Sequence, residues 1–260
     1  MRTPRFCLAM LAIATMAIPA LAQTPPTTET PDRGDNFVQF YNSVPRPEMT
    51  AQFEAGLKRH MAWHAAQKDP WKWKTWEVIT GDNTGTYVVG TFHHRWEDFD
   101  REKFAAADAA DAAVNLAPYL SSNRMSFWTL RPDTSLTLEE FNTPYLSLIH
   151  YLINPDGILT FSNNTEKILD AMKQTKYPIK RFQWYSLING GDTIHYVMVT
   201  ERKSVADMAN PDQDDIEILR ETYGDDAGPN LVHDRAKTYH HTWTEMLKYR
   251  PDLSYNPAVH

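Results

Sequence analysis

Cysteine is nearly absent from this chain. The single one, Cys7, lies in the N-terminal stretch MRTPRFCLAMLAIATMAIPALAQ. The rest of the sequence therefore has no disulfide framework, no thiolate metal centre and no cysteine nucleophile. Glycine is also scarce, at 10 of 260 residues. No G-x-S-x-G, Walker-type or G-x-G-x-x-G spacing occurs, so serine-hydrolase and nucleotide-binding readings have no support. Basic residues fall short of acidic ones, 26 Lys and Arg against 33 Asp and Glu, for a formal charge of −7. That balance argues against nucleic acid and anionic membrane surfaces as partners. No apolar run reaches the roughly 20 residues of a membrane-spanning helix.

What the N-terminus does have is the layout of a secretory signal. Arg2 and Arg5 precede an apolar stretch from Cys7 to Pro19, and Ala20-Leu21-Ala22 forms an A-x-A cleavage site before Gln23. We expect residues 1–22 to be removed, the protein to be periplasmic or secreted, and no integral membrane segment to remain. Residues 23–35, rich in Pro and Thr without apolar periodicity, are expected to be a disordered leader.

Beyond the leader the chain is aromatic-rich and periodic. Phe37 to Val44 predicts a strand ended by Pro45 and Pro47. Glu48 to Lys68 predicts a helix with Met49, Phe53, Leu57, Met61 and His64 along one stripe, stopped at Asp69-Pro70. Trp71 to Asp100 predicts a hairpin about Gly81–Gly85. A helix over Phe99–Asn115 and a strand over Arg124–Leu130 complete the set. After a linker at 134–143 the order begins again. A shift of 108 positions sets Phe37–Val44 on Tyr145–Leu152, Phe53 on Phe161, Trp76 on Trp184 and Val89 on Val197. Further on the shift grows to 119, placing Arg131-Pro132-Asp133 on Arg250-Pro251-Asp252, so an insertion is expected within 210–237. Such self-similarity marks a repeat.

The expected fold class is α+β: two tandem ferredoxin-like βαββαβ repeats, residues 36–133 and 144–260, whose sheets cover each other. This order and repeat resemble the dimeric α+β barrel superfamily in its fused form. The resemblance implies a barrel closed within one chain; self-association through sheet edges is a separate option. The superfamily includes cofactor-independent monooxygenases and haem proteins of the chlorite dismutase and dye-decolourising peroxidase types. It makes haem a cofactor to test, with His150, His195 and His233 as available imidazoles and Arg181 as a distal-type cation.

No catalytic residue or metal ligand is assigned from sequence. His60 and His64, at i and i+4, could clasp an ion, but their counterparts at a shift of 108 are Ile168 and Met172, which favours packed helix histidines. His93-His94 and His240-His241 each present one ring to either strand face. On the first strand of the second half, Leu146, Leu148 and Leu152 are expected to meet the helices. Tyr145, Ser147, Ile149 and Tyr151 would then face inward and His150 away from the cavity. Aromatic and polar positions where the halves differ make the expected ligand site: Trp73, Tyr87, His93, Tyr151, Arg181, Tyr185 and His195. The expected function is the binding of a small apolar or aromatic ligand between the sheets. The alternative is a haem-dependent or cofactor-free oxidoreductase.

Overall fold

The structure is a computed structural model that describes Gly34 and residues 36–100, 103–176, 179–209 and 215–257. The expected signal segment lies outside the described residues, as does the leader apart from Gly34. Along the chain run β1 (Phe37–Pro45), α1 (Thr50–Gln67), β2 (Lys74–Val78), β3 (Tyr87–His94), α2 (Trp96–Asp100), α3 (Ala105–Asn115) and β4 (Leu120–Leu130). Then follow β5 (Tyr145–Ile153), α4 (Ile158–Gln174), β6 (Phe182–Asn189), β7 (His195–Arg202), α5 (Asp215–Tyr223), α6 (Ala227–Ala236) and β8 (Tyr239–Tyr249). The helix expected over 99–115 is thus two pieces, and the insertion expected within 210–237 holds α5 and α6. No described helix is long and apolar enough to cross a membrane.

The eight strands form one closed antiparallel barrel in the order β1-β3-β2-β8-β5-β7-β6-β4. Closure leaves no unpaired sheet edge. Two seams join the first four strands to the last four, and the same triplet finishes both. Arg131, after β4, donates its N–H to Trp184 O at 2.8 Å, and Arg250, after β8, donates to Thr75 O at 2.9 Å. The side chain of Arg250 then clasps Glu54 on α1 and Glu77 on β2.

α1 lies outside the barrel because Phe53, Leu57, Met61, His60 and His64 share one buried face. Phe53 and Leu57 pack with Trp73, Tyr87 and Val89. Lys68, in the left-handed region at φ 54°, ends the helix as its N–H turns back to Ala65 O. Gly56 lets the end of α3 approach, since a Cβ there would stand 2.0 Å from Asn115 O. α4 covers the other half, where Phe161 and Leu169 meet Tyr151, Phe182, Trp184 and Tyr196. Its outer residue Ile168 is sealed by Ile218 and Leu219 of α5. Burying each such side chain contributes about 1.5–3 kcal/mol.

Two expectations about facing are corrected. Leu146, Leu148, His150 and Leu152 point into the barrel, whereas Tyr151 points out, against Phe161 and Trp184. Where helices roof a closed barrel, the strands are covered on both sides, so apolar character there does not say which side is which. The second correction concerns the hairpins. Trp76 and Val78 face inward on β2, as do Tyr185 and Leu187 on β6, so matching positions differ by 109 rather than 108. One extra residue before β6 turns every side chain over. Trp76 therefore matches Tyr185, while Trp184 lies on the helix side. Trp73 and Tyr87 match Phe182 and Tyr196, all four buried between sheet and helix.

Candidate functional site

The inward-facing side chains leave a cavity of about 600 Å³ inside the barrel. Its walls are mainly apolar, with Trp76, Phe92, Trp128, Phe141, Leu148 and Val197 prominent. Exposed Asn42, Arg124 and Asp192 surround one end, which is its open mouth. The connecting segment 134–143 folds across the other end. There Gln183 Nε2 donates to Glu139 O at 3.0 Å and Lys74 Nζ to Phe141 O at 2.7 Å. The segment expected as a plain linker thus supplies Phe141 and Glu140 to the cavity wall.

At the segment end, Lys74 is only 4% exposed and its ammonium lies 2.6 Å from Glu140. Burial pushes the Glu140 carboxyl up, but the bonds from Lys72 and Lys74 outweigh this and hold it below the ordinary carboxylate value. Tyr185 donates its hydroxyl to Gln183 Oε1 at 2.8 Å, and complete burial raises its pKa well above that of a free tyrosine.

The mouth end carries an imidazole pair. His150 Nδ1 and His195 Nε2 are 3.0 Å apart, so one of them donates and the other accepts. His150 stacks flat on Trp243, ring centres 4.4 Å apart, and Trp128 meets His195 edge-on at 4.9 Å. Behind them, Glu245 Oε2 lies 3.5 Å from His150 Nε2, a buried nitrogen that makes no hydrogen bond. Asn83 Nδ2 donates to the other carboxylate oxygen. Burial, then the charge of His150, drive the pKa of His195 down from 6.5 to about 3, so its ring is neutral at ordinary pH. Glu245 is pushed up by burial, yet His150 and Asn83 bring it below the ordinary value. A carboxylate, an imidazole and a neutral imidazole thus form a line from the wall to the cavity. Such a line can orient a ligand hydroxyl or accept its proton.

Of the residues expected to form the site, the structure brings Tyr185, His195 and His93 to the cavity, His93 exposed at its rim. Trp73, Tyr87 and Tyr151 lie on the helix side. Trp73 Nε1 donates to Asp69 at 3.0 Å and Tyr87 hydroxyl to Glu54 at 2.6 Å. Arg181 is outside the cavity, held by Glu139 at 2.9 Å and over the Phe141 ring. Sequence reasoning missed Lys74, Glu140, Trp243 and Glu245. No signal marked Lys74 or Glu245, because their strands, KTWEV and YHHTWTEMLKY, carry other polar and charged residues.

Three of the four ring nitrogens of the imidazole pair are turned on other groups rather than on a haem. An axial imidazole needs one nitrogen free to face the iron. His150 points one nitrogen at His195 and the other at Glu245, and His195 points Nε2 back at His150. His233 is exposed on α6, and Arg181 is not a cavity residue. Outside the barrel, His60, His64 and Asp108 bring three ligand-type atoms within 4.8 Å of one another.

No protein-family model matches the sequence, and no curated protein matches it either. Solved structures do match. An anthrone oxidase-like protein is 12% identical with a TM-score of 0.54, over 84% of this chain and 92% of its own. A candidate monooxygenase from Lactobacillus acidophilus is 10% identical with a TM-score of 0.53, over 86% and 97%. A chlorite dismutase of Candidatus Nitrospira defluvii is 9% identical with a TM-score of 0.53, over 85% and 93%. At such identities the likeness is one of architecture. The chain has the fold of the dimeric α+β barrel proteins, an eight-stranded antiparallel barrel closed within a single polypeptide.

Proposed function

We propose that this chain is an exported protein that binds a small aromatic or apolar ligand carrying one polar group, inside a barrel of two fused ferredoxin-like repeats. The observation that carries this reading is the 600 Å³ apolar cavity with His150, His195 and Glu245 at its open end. A concave apolar site with a few convergent polar groups is the usual form of a small-molecule pocket. The strand orders β4-β1-β3-β2 and β8-β5-β7-β6 around the barrel support the two-repeat reading. The test is binding of hydroxylated aromatic compounds, read by quenching of tryptophan fluorescence and by native mass spectrometry. Leu148→Arg, which places a charge in the cavity, should abolish binding. Unchanged binding in that variant would place the ligand elsewhere. Export is part of this reading: the processed protein should begin at Gln23, and recovery of an unprocessed chain in the cytoplasm would count against it.

The Glu245–His150–His195 line supports a second reading, a cofactor-free oxygenase. The carboxylate-backed imidazole pair beside a bound aromatic could take a proton from an activated CH₂. Dioxygen would then convert that carbon to a carbonyl, its second oxygen atom leaving as water. Oxygen uptake with an anthrone as trial substrate decides this. Uptake by the wild type that is lost in His195→Phe would support the oxygenase. No uptake by a protein that binds the anthrone leaves the binding function alone.

A further inference from the structure

We propose that His60, His64 and Asp108 form a binding site for a zinc-class divalent metal ion between α1 and α3, outside the barrel. The three residues bring two imidazoles and one carboxylate to a single point. His60 Nε2 lies 3.2 Å and His64 Nε2 3.4 Å from the same oxygen, Asp108 Oδ1, and all three ligand atoms fall within 4.8 Å of one another. Zinc bound at 2.0–2.1 Å in a tetrahedron separates its ligand atoms by about 3.3 Å. Two of the three separations already match that edge.

The other ring nitrogens say what these three atoms are for. His60 Nδ1 lies 2.8 Å from Asp111 Oδ2, and His64 Nδ1 lies 2.7 Å from Asp69 Oδ2. Asp69 is itself fixed by the Trp73 indole N–H at 3.0 Å and the Trp71 backbone N–H at 2.9 Å. A histidine that donates Nδ1–H to a carboxylate presents the Nε2 lone pair on the opposite side, which is how metal-ligating histidines are oriented. Here two Nε2 atoms, in that tautomer each a lone pair, face one carboxylate oxygen. Asp108 Oδ1 is buried and accepts no hydrogen bond, although both Nε2 atoms stand beside it. A metal ion, or protons on the two Nε2 atoms, can bridge three such donors in a poorly hydrated place, and titration with metal distinguishes the two. His60 and His64 are 6% and 2% exposed, while Asp108 is half-buried and leaves a side open for a water as fourth ligand.

Two nitrogens and one carboxylate oxygen suit zinc, cobalt or nickel better than calcium or magnesium, which prefer all-oxygen sites. The ion would also answer a packing problem. No side chain of α3 is buried, so this alanine-rich helix has little apolar surface holding it to α1. In the other half α4 solves the same problem with hydrocarbon, Ile168 meeting Ile218 and Leu219. The inference does not depend on what the barrel binds.

The test uses the chain from residue 23 onward without a polyhistidine tag, stripped with a chelator and titrated with Zn²⁺ and, as a coloured probe, Co²⁺. The expected result is one ion per chain, visible Co²⁺ bands of a four-coordinate site, and a higher melting temperature with metal than without. Asp108→Asn should bind Zn²⁺ at least tenfold more weakly. Asp111→Asn, which only positions His60, should weaken it 10–100-fold and shift the Co²⁺ spectrum. No uptake by the wild type at micromolar metal would overturn the proposal even if a variant fails to fold. So would an Asp108→Asn protein that binds as tightly as the wild type.

Discussion

His195 is a group whose charge the barrel suppresses, and this has a consequence for stability. In the folded chain its pKa is about 3, against the ordinary 6.5. The unfolded chain takes up a proton near 6.5 that the folded chain refuses, so the unfolded state binds more protons and stability rises with pH. The contribution is complete above pH 6.5 and declines as pH falls towards 3, with a slope approaching one proton. Glu140 and Glu245, whose pKa values lie below the ordinary 4.5, add a decline of the same sign only at lower pH. Between pH 6.5 and 4.5 the urea midpoint should therefore fall in the wild type and stay nearly level in His195→Phe. Equal slopes in the two proteins would show that His195 is not the group responsible. At this scale the sequence was partly legible. His195 stood out as a lone imidazole opening an apolar strand, but Glu245 and Asn83 come from remote segments that only the folded barrel brings together.

The segment 134–143 has the size of a connector and the contacts of a structural element. Lys74 is buried against Glu140 and also bonds Phe141 O and, at 3.3 Å, Asn142. Removing one member of a buried pair strands the other charge, so Glu140→Gln should cost about 3 kcal/mol of stability by denaturant unfolding. The double variant Lys74→Met with Glu140→Gln should cost clearly less than the two single variants together, because no unpaired charge is left. Strict additivity would mean that the two groups do not interact. Element order was readable from strand composition and proline stops. Facing was not, for two physical reasons. Strands with helices outside and side chains inside lack the polar alternation that marks a face. A single extra residue before β6 then made Trp76 and Trp184 look like partners although they point to opposite sides of the sheet. The spacing of His60 and His64 was visible, while the carboxylates that orient them come from α3 and the turn before β2.

The barrel as a whole is held shut at two short seams. Inside the first half β1 pairs with β4 from Phe37 to Pro45, but across the seams β4 meets β6 only from Phe127 to Leu130 and β2 meets β8 only from Trp76 to Val78. Short pairings open first. Amides of β2 should exchange hydrogen sooner than those of β1 and β5, and Arg250→Met, which removes the clasp to Glu54 and Glu77, should speed exchange at that seam more than elsewhere. Uniform protection around the barrel would contradict this. The segment across one end has a kinetic consequence too. A two-chain barrel of identical halves would have twofold symmetry and two equivalent ways in. This chain carries its cover once, so a ligand held as we propose would enter and leave at the mouth, past His150 and His195. Its residence time would then be governed at that mouth, and a substitution at Asn42 or Arg124 would alter how fast a ligand leaves far more than how many contacts hold it.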